Sequence, residues 1–274
     1  MSPTALPTSH SWLPRTSCGD TCLSAGLGSP GRAVSGWLRP AWRLGLALAL
    51  LPALPLLAVP LPGRLRAQRL YCRLMLACLG IRITLSGGPI RNLRGVLVVS
   101  NHVSWADVFA IGAVLPGAFV ARADLVDWPA FGTAARLMNV IPIERASLRG
   151  LPGVVGAVTA RLRAGRTVVA FPEGTTWCGA GHGPFHHGPF HPAMFQAAVD
   201  SGRPVQPLKL SYHHRDGRAS TVTAFFGEDS LRASLLRTVR ARRTVVHVAV
   251  RPLQLPAVNR RELAARCAEV VRAG

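Results

Sequence analysis

The sequence contains little negative charge and almost no lysine. Its 274 residues include 32 Lys and Arg against 12 Asp and Glu, a formal net charge of +20, and Lys209 is the only lysine. The excess positive charge is therefore arginine, which suits phosphate groups and anionic lipid surfaces. Aromatic residues make up only 6%. Because no zinc-finger, helix-turn-helix or RNA-binding signature occurs either, we do not expect a nucleic-acid partner.

Cysteine is sparse and follows no recognised pattern. The six cysteines form neither a C-x-x-C pair nor a disulfide framework, so we expect reduced thiols and no metal site. They are Cys18, Cys22, Cys72, Cys78, Cys178 and Cys267. Cys178 lies near a motif discussed below, but we interpret it as incidental rather than nucleophilic, since no neighbouring histidine is clearly placed to activate it.

The N-terminal part of the chain differs in composition from the rest. Residues 1–36 are rich in Ser, Pro, Gly and Thr without apolar periodicity, which predicts a disordered arm. Residues 44–62 are almost wholly apolar and have about the minimum length of a membrane span. Since three prolines would break or kink a helix here, a bent span, a re-entrant segment and an interfacial helix pair are all open; they are Pro52, Pro55 and Pro60. We predict a membrane-anchoring helical segment over 37–80.

Arginines are more frequent after the apolar run than before it. By the positive-inside rule, this places the body of the protein on the cytoplasmic face of the cell membrane. Arg66, Arg69 and Arg73 recur at spacings of three and four and share one helix face. We expect that face to contact anionic lipid headgroups, although a solvated basic face would have the same pattern.

Beyond residue 80, strand-like and helix-like segments alternate. This predicts an α/β domain over 81–274, with a largely parallel central sheet flanked by helices. We expect strands at 81–86, 95–100, 117–122, 139–144, 166–171, 204–212, 221–226 and 244–251, and helices at 104–114, 124–138, 147–164, 192–201, 229–241 and 259–272. In such sheets, ligands bind beyond the carboxyl ends of the strands.

The most informative stretch follows the predicted strand at 95–100. Asn101 and His102 lie where that strand ends, and Ser104 with Asp107 has the S-x-x-D spacing of a helix start. A turn between strand and helix would let Asp107 contact the imidazole of His102, fix its tautomer and leave the other nitrogen as a general base. These residues alone support a second interpretation equally well, in which Asp107 only caps the helix and His102 is an ordinary turn residue.

Three further polar clusters follow predicted strands. The first is Ile143-Glu144-Arg145, the second is Phe171-Pro172-Glu173-Gly174-Thr175, and the third is Val205-Gln206-Pro207. An arginine at a strand end can present a fixed guanidinium to a phosphate or a carboxylate. Each cluster also has an ordinary interpretation: a surface ion pair, a solvated turn or an edge strand.

Together, these four stretches resemble the phospholipid acyltransferase family that includes the 1-acylglycerol-3-phosphate acyltransferases. The family carries N-H-x4-D, a strand ending in Arg, F-P-E-G-T and a V-x-P strand, in the order found here. The resemblance covers residues 70–272. It implies a membrane-bound enzyme that moves a fatty acyl group from acyl-CoA or acyl-carrier protein to the hydroxyl of a lysophospholipid, without a cofactor and without a covalent acyl-enzyme. The absence of a G-x-S-x-G nucleophile motif is consistent with this mechanism.

The resemblance also implies roles for individual residues. His102 would be the general base and Asp107 would orient it, while Arg145 would bind the phosphate of the acceptor. Glu173 and Gly174 would shape the acceptor side of the site, and we place Thr175 and Asn101 among the substrate-binding residues. Backbone amides near His102 or Gly174 are the candidates for oxyanion stabilisation.

The chain departs from the family pattern in places. Thr176 and Trp177 stand where members often carry Arg and Ser, which keeps another acceptor, such as lyso-ornithine lipid, as an alternative to 1-acylglycerol-3-phosphate. Asn139 stands where members often have Gly. A loop over 182–191 repeats the pentapeptide His-Gly-Pro-Phe-His. We interpret that loop as a duplicated surface segment rather than a metal site, because no cysteine or acid pattern completes one. A non-catalytic membrane-surface protein is the remaining hypothesis, and the intact His102, Asp107 and Glu173 argue against it.

Overall fold

A computed structural model describes residues 13–25, 37–59, 62–89, 93–126, 135, 138–144, 147–179, 188–227 and 229–273. The helices are α1 (Asp20–Ala25), α2 (Leu38–Leu50), α3 (Arg64–Cys78), α4 (Asp107–Gly112), α5 (Leu151–Arg163), α6 (Phe195–Ser201), α7 (Leu231–Arg240) and α8 (Arg260–Arg272). The strands are β1 (Ile81–Gly87), β2 (Leu97–Ser100), β3 (Ala118–Arg122), β4 (Ile141–Ile143), β5 (Val168–Ala170), β6 (Val205–His214) and β7 (Thr244–Val250). Short 3-10 helices lie at Leu51–Ala53, Pro55–Ala58 and Ala123–Val126.

The strands form a single sheet in the order β1-β7-β6-β2-β5-β3-β4. Every neighbouring pair is parallel except β6 and β7, so the prediction of a largely parallel α/β sheet is confirmed. The central strand β2 is buried along its whole length, as expected for a continuous apolar run covered on both faces. Because β2 lies between β5 and β6, the residues after β2 and β5 meet at one edge of the sheet.

Two hydrophobic clusters pack on the sheet. In one, α3 contributes the buried residues Tyr71, Cys72, Met75 and Leu76, and the other includes residues of α5, α6 and α8. Helix α2 packs on α3 and α7. The Arg43 guanidinium joins it to the carboxyl end of α7, donating to the carbonyl oxygens of Val239 (2.9 Å), Ala241 (2.6 Å) and Arg242 (3.0 Å).

Two predicted elements differ from the structure. Residues 221–226 form no strand; their β-branched side chains are buried in an irregular segment. Its backbone bonds to the loop after β2 instead, since Phe225 N–H donates to Val103 O (3.1 Å) and Thr223 O accepts from the Ser104 hydroxyl (2.5 Å). The helix predicted at 104–114 begins only at Asp107. The helix predicted at 124–138 falls mostly outside the described residues.

The segment over 37–80 consists of α2, two 3-10 helices and α3. Among the described residues, we find no helix that combines the length and the apolar character needed to cross a bilayer. Part of the arm predicted to be disordered is packed on the domain, because Cys18 is buried and Leu23 O accepts a hydrogen bond from the Thr221 hydroxyl (2.7 Å). Residues 1–12 and 26–36 of that arm lie outside the described residues.

Candidate active site

His102 lies in the turn directly after β2. Its Nδ1 is 2.8 Å from Asp107 Oδ2, so the predicted contact between these two residues is present. The imidazole stacks on the ring of Phe171, with centroids 4.0 Å apart and planes inclined by 15°. Its side chain is 14% exposed. Because a carboxylate only accepts, Nδ1 donates to Asp107, and Nε2 keeps a lone pair that can take a proton.

Asp107 is fully buried, with four donors around its carboxylate. Besides His102, Oδ2 accepts from the backbone N–H groups of Val103 (2.7 Å) and Ser104 (2.9 Å). Oδ1 accepts from the Tyr212 hydroxyl (2.6 Å). The bond from the Ser104 N–H is half of a capping box, so Asp107 both starts α4 and orients His102. The Ser104 hydroxyl oxygen accepts from the N–H of Ala106 (3.2 Å) rather than from that of Asp107, and the hydroxyl donates to Thr223 O.

Tyr212 is a residue of this site that sequence reasoning missed. It lies on β6, far from Asp107 in the chain, and no motif marks it. Burial, followed by the negative charge of Asp107, raises the pKa of the Tyr212 phenol well above its usual range, which keeps it protonated as a donor.

The backbone of His102 is bonded on both sides by the F-P-E-G-T motif and the residues that directly follow it. Its N–H donates to Glu173 Oε2 (2.7 Å), and its C=O accepts from the N–H of Trp177 (2.8 Å). Glu173 is 2% exposed, and its Oε1 accepts from the N–H of Gly188 (3.1 Å). Burial raises the pKa of Glu173 to about 8, against the lowering effect of these two N–H donors. In this structure Glu173 therefore fixes the turn that presents His102, and its role in shaping the acceptor side stays a prediction.

Asn101, predicted to bind substrate, has a structural role. Its side chain is buried, its Nδ2 donates to Leu210 O (2.9 Å), and its Oδ1 accepts from Leu210 N–H (2.8 Å). This pair of bonds ties the end of β2 to β6 and uses the amide internally. A contact of Asn101 with substrate stays a prediction.

Gly174 and Thr175 lie in the turn after β5, half-buried beside Glu173. Gly174 has φ +69°, and a Cβ there would lie 2.5 Å from Pro14 Cγ, so glycine is required both by conformation and by space. Arg145, the predicted phosphate ligand, lies outside the described residues. Most of the histidine-rich loop, residues 182–187, does so as well.

Four amides near His102 and Gly174 already have acceptors. Those of His102, Val103 and Ser104 donate to Glu173 or Asp107, and that of Gly174 donates to Phe171 O (3.1 Å). The prediction that amides near His102 or Gly174 stabilise an oxyanion therefore does not hold for these four.

The residues that depart from the family pattern are packed or hydrogen-bonded within the protein. The Thr176 hydroxyl donates to Phe225 O, and the Trp177 side chain is buried. Neither residue offers a cation to an anionic acceptor. Asn139 has φ +53°, a left-handed conformation that asparagine tolerates better than most residues, which explains why it can replace glycine.

The raised pKa of Glu173 predicts a pH dependence of stability. The folded carboxyl has a pKa of about 8 against an ordinary 4.5, so between these values the folded chain holds a proton that the unfolded chain releases. This contribution is complete below about pH 4.5 and is lost as the pH rises through about 8. We expect the unfolding free energy of the wild type, relative to Glu173→Gln, to fall by up to about 1.4 kcal/mol per pH unit across this window. Denaturant titrations over that range measure it.

The control for this prediction is Glu262→Gln, which changes an exposed glutamate in the first turn of α8. Its stability difference from the wild type should stay nearly constant over the window. A constant difference for Glu173→Gln as well would contradict the raised pKa.

Comparison with known proteins decides the family. A family model described as Acyltransferase matches residues 82–211. Over 213 residues, the chain is 34% identical to the lyso-ornithine lipid O-acyltransferase of Pseudomonas aeruginosa, covering 77% of this chain and 79% of that relative. The chain belongs to the phospholipid acyltransferase family. This acyltransferase is also 33% identical over 174 residues to the 1-acyl-sn-glycerol-3-phosphate acyltransferase of Neisseria meningitidis, covering 64% of this chain and 66% of that relative.

The fold of this acyltransferase has a counterpart among solved structures. The crystal structure of the 1-acyl-sn-glycerophosphate acyltransferase PlsC from Thermotoga maritima aligns with a TM-score of 0.61. The alignment covers 89% of this chain and 96% of that chain at 21% identity. At this identity the likeness establishes the fold, and the roles of individual residues rest on the geometry described above.

Proposed function

We propose that this acyltransferase moves a fatty acyl group from an acyl thioester, acyl-CoA or acyl-carrier protein, directly to the free hydroxyl of a lysolipid, with His102 as the general base. The observation that supports this most is the 2.8 Å contact between His102 Nδ1 and the buried Asp107 carboxylate. It leaves Nε2 as the nitrogen that takes the hydroxyl proton.

The proposed reaction has two proton transfers. As the acceptor oxygen attacks the thioester carbonyl, Nε2 of His102 takes its proton, and Asp107 stabilises the imidazolium that forms. The tetrahedral intermediate then collapses, the carbon–sulfur bond breaks, and the leaving thiolate takes the proton back from His102. The products are the diacyl lipid and the free thiol.

The proposal also specifies which lysolipid accepts the acyl group. We take 1-acylglycerol-3-phosphate as the first candidate, which would give phosphatidate, because Arg145 comes two residues after the end of β4 in the sequence and a guanidinium can bind a phosphate. Lyso-ornithine lipid is the second candidate. It is favoured by the uncharged Thr176 and Trp177, which remove one cationic partner from the acceptor side.

An acceptor panel tests this choice. Purified enzyme receives labelled acyl-CoA or acyl-carrier protein with either lysolipid, and kcat/KM is measured for each. We expect Arg145→Ala to lower kcat/KM for 1-acylglycerol-3-phosphate by roughly 10- to 100-fold, the value of a hydrogen bond to a charged group. Arg149→Ala, which removes an exposed neighbouring arginine, should leave it unchanged. Transfer to lyso-ornithine lipid alone would select the second candidate, and no transfer to either would refute both.

We further propose that the segment over 37–80 binds the surface of the cell membrane from the cytoplasmic side. Large apolar side chains are exposed along α2, including Leu38 (78% exposed) and Trp42 (69% exposed). On α3, the guanidinium-bearing residues Arg66 and Arg73 are exposed as well. An exposed apolar face beside arginines is typical of a helix that lies in the headgroup region of an anionic bilayer.

Vesicle binding checks this proposal. We expect Trp42→Glu to weaken co-flotation with anionic vesicles by about tenfold or more, because a buried Trp contributes on the order of 2 kcal/mol. Leu255→Glu, a change at an exposed apolar residue outside the segment, is the matched control. Raising the salt concentration should also weaken the binding of the wild type. Equal flotation of both variants and the wild type would contradict a membrane-binding role for α2.

A further inference from the structure

Three cysteines lie together behind the active site. The Sγ atoms of Cys18, Cys22 and Cys178 are all within 4.8 Å of one another. Cys18 precedes α1 and Cys22 lies within it, whereas Cys178 lies three residues after the F-P-E-G-T motif, directly after Trp177. Cys18 and Cys178 are buried. We name these three residues the thiol cluster.

The geometry of the thiol cluster sets it apart from the other described cysteines. The backbone N–H of Cys178 donates to Cys18 Sγ (3.3 Å), so the two segments that carry the cluster are in direct contact. Cys72 and Cys267, which are buried elsewhere in the core, belong to no such group among the described residues. A metal ion binds cysteine as the thiolate, and sulfurs that converge on one point are the arrangement that such an ion requires.

We propose that Cys18, Cys22 and Cys178 bind a Zn²⁺ ion. Zinc–sulfur bonds of about 2.3 Å place the sulfurs of a tetrahedral site about 3.8 Å apart, a spacing compatible with the observed group. Three thiolates and one water molecule complete such a site. The spacing of these cysteines in the sequence matches no zinc motif. The sequence alone therefore does not predict this group.

A disulfide is the competing use of these thiols. It would require a sulfur–sulfur distance of about 2.0 Å and would engage only two of the three residues. Thiols that converge from two segments into one group are better matched to one ion that all three can bind.

Zinc at the thiol cluster would stabilise the turn that carries His102. Cys178 follows Trp177, whose N–H donates to the carbonyl oxygen of His102. The ion would join this segment to the N-terminal residues 13–25 across a long stretch of sequence, and such a link removes loop entropy from the unfolded chain. Removal of the ion should therefore lower the melting temperature, in addition to any effect on turnover.

The test is metal binding by the full chain, purified without a histidine tag. Elemental analysis and titration with Zn²⁺ alone should give about one ion per chain. Loading with Co²⁺ should produce thiolate-to-metal charge-transfer absorption in the wild type, which reports cysteine ligation without any variant. Cys18→Ser and Cys178→Ser should weaken zinc binding by about 100-fold or more, since even residues that only support metal ligands cost 10- to 100-fold.

Two controls separate the thiol cluster from other sources of binding. Cys72→Ser removes a buried cysteine outside the cluster and should bind zinc like the wild type. His186→Ala with His187→Ala should also bind like the wild type, which distinguishes the cluster from the histidine-rich loop. Wild-type zinc binding by the Cys18 and Cys178 variants, absence of the charge-transfer band, or a thiol count showing a disulfide in the metal-free chain would each overturn the proposal.

Discussion

The His102→Ala enzyme should lose about 100- to 10,000-fold in kcat, the contribution of a positioned general base. Without the imidazole, no other described group occupies the place of Nε2 beside Asp107 and Phe171. The acceptor hydroxyl would then attack without losing its proton to the enzyme. Initial rates with saturating acyl thioester and lysolipid measure this effect, and KM should change far less than kcat because His102 acts in the transition state.

His247→Ala is the matched control for this prediction. That histidine lies on β7, where its ring nitrogens contact the hydroxyls of Thr84 (2.9 Å) and Ser86 (2.7 Å), outside the catalytic site. Its removal should leave kcat unchanged. A wild-type kcat in His102→Ala would remove His102 from the mechanism.

Asp107→Asn should produce the second large loss. Three donors converge on Oδ2, namely His102 Nδ1 and the N–H groups of Val103 and Ser104, so the amide oxygen of Asn should take that position. The amide nitrogen would then face Tyr212, whose hydroxyl can accept. The histidine tautomer is kept, but the negative charge that stabilises the imidazolium is lost. We expect kcat to fall by about 100-fold or more and the free energy of unfolding to fall by about 1–3 kcal/mol.

Asp216→Asn serves as the control, because that aspartate is exposed and pairs with Arg218 (2.8 Å). Its kinetics and stability should match those of the wild type. If Asp107→Asn lost stability while keeping the wild-type kcat, Asp107 would be a purely structural residue that starts α4.

The sequence predicted the largely parallel sheet, and it offered the contact of His102 with Asp107 as one of two interpretations. Continuous apolar runs such as 97–100 predict buried parallel strands, and the turn after them placed His102 near Asp107. The spacing alone left two interpretations of Asp107, as a cap and as the partner of His102. The structure shows that one carboxylate serves both purposes, because its oxygens accept bonds from the backbone and from the imidazole together.

The remaining features depend on contacts between distant parts of the chain. Tyr212 reaches Asp107 only because β6 lies beside β2, and Cys18 meets Cys178 only because residues 13–25 pack on the domain. The segment 221–226 has the composition of a strand, yet its backbone bonds to the loop after β2, so propensity alone misassigned it. The bonds from Asn101 to the backbone of β6 and from the His102 N–H to Glu173 also join distant parts of the chain, and the family resemblance does not predict them.

A rapid-quench experiment with labelled acyl thioester tests direct transfer at His102 most closely. Enzyme in excess is mixed with donor alone and, separately, with donor and lysolipid in anionic vesicles, and the label in protein, thioester and lipid is followed. We predict that label enters the diacyl lipid only when lysolipid is present, in step with loss of thioester, and that none remains bound to the protein. Label bound covalently to the enzyme, or thioester consumed without labelled lipid, would contradict the account.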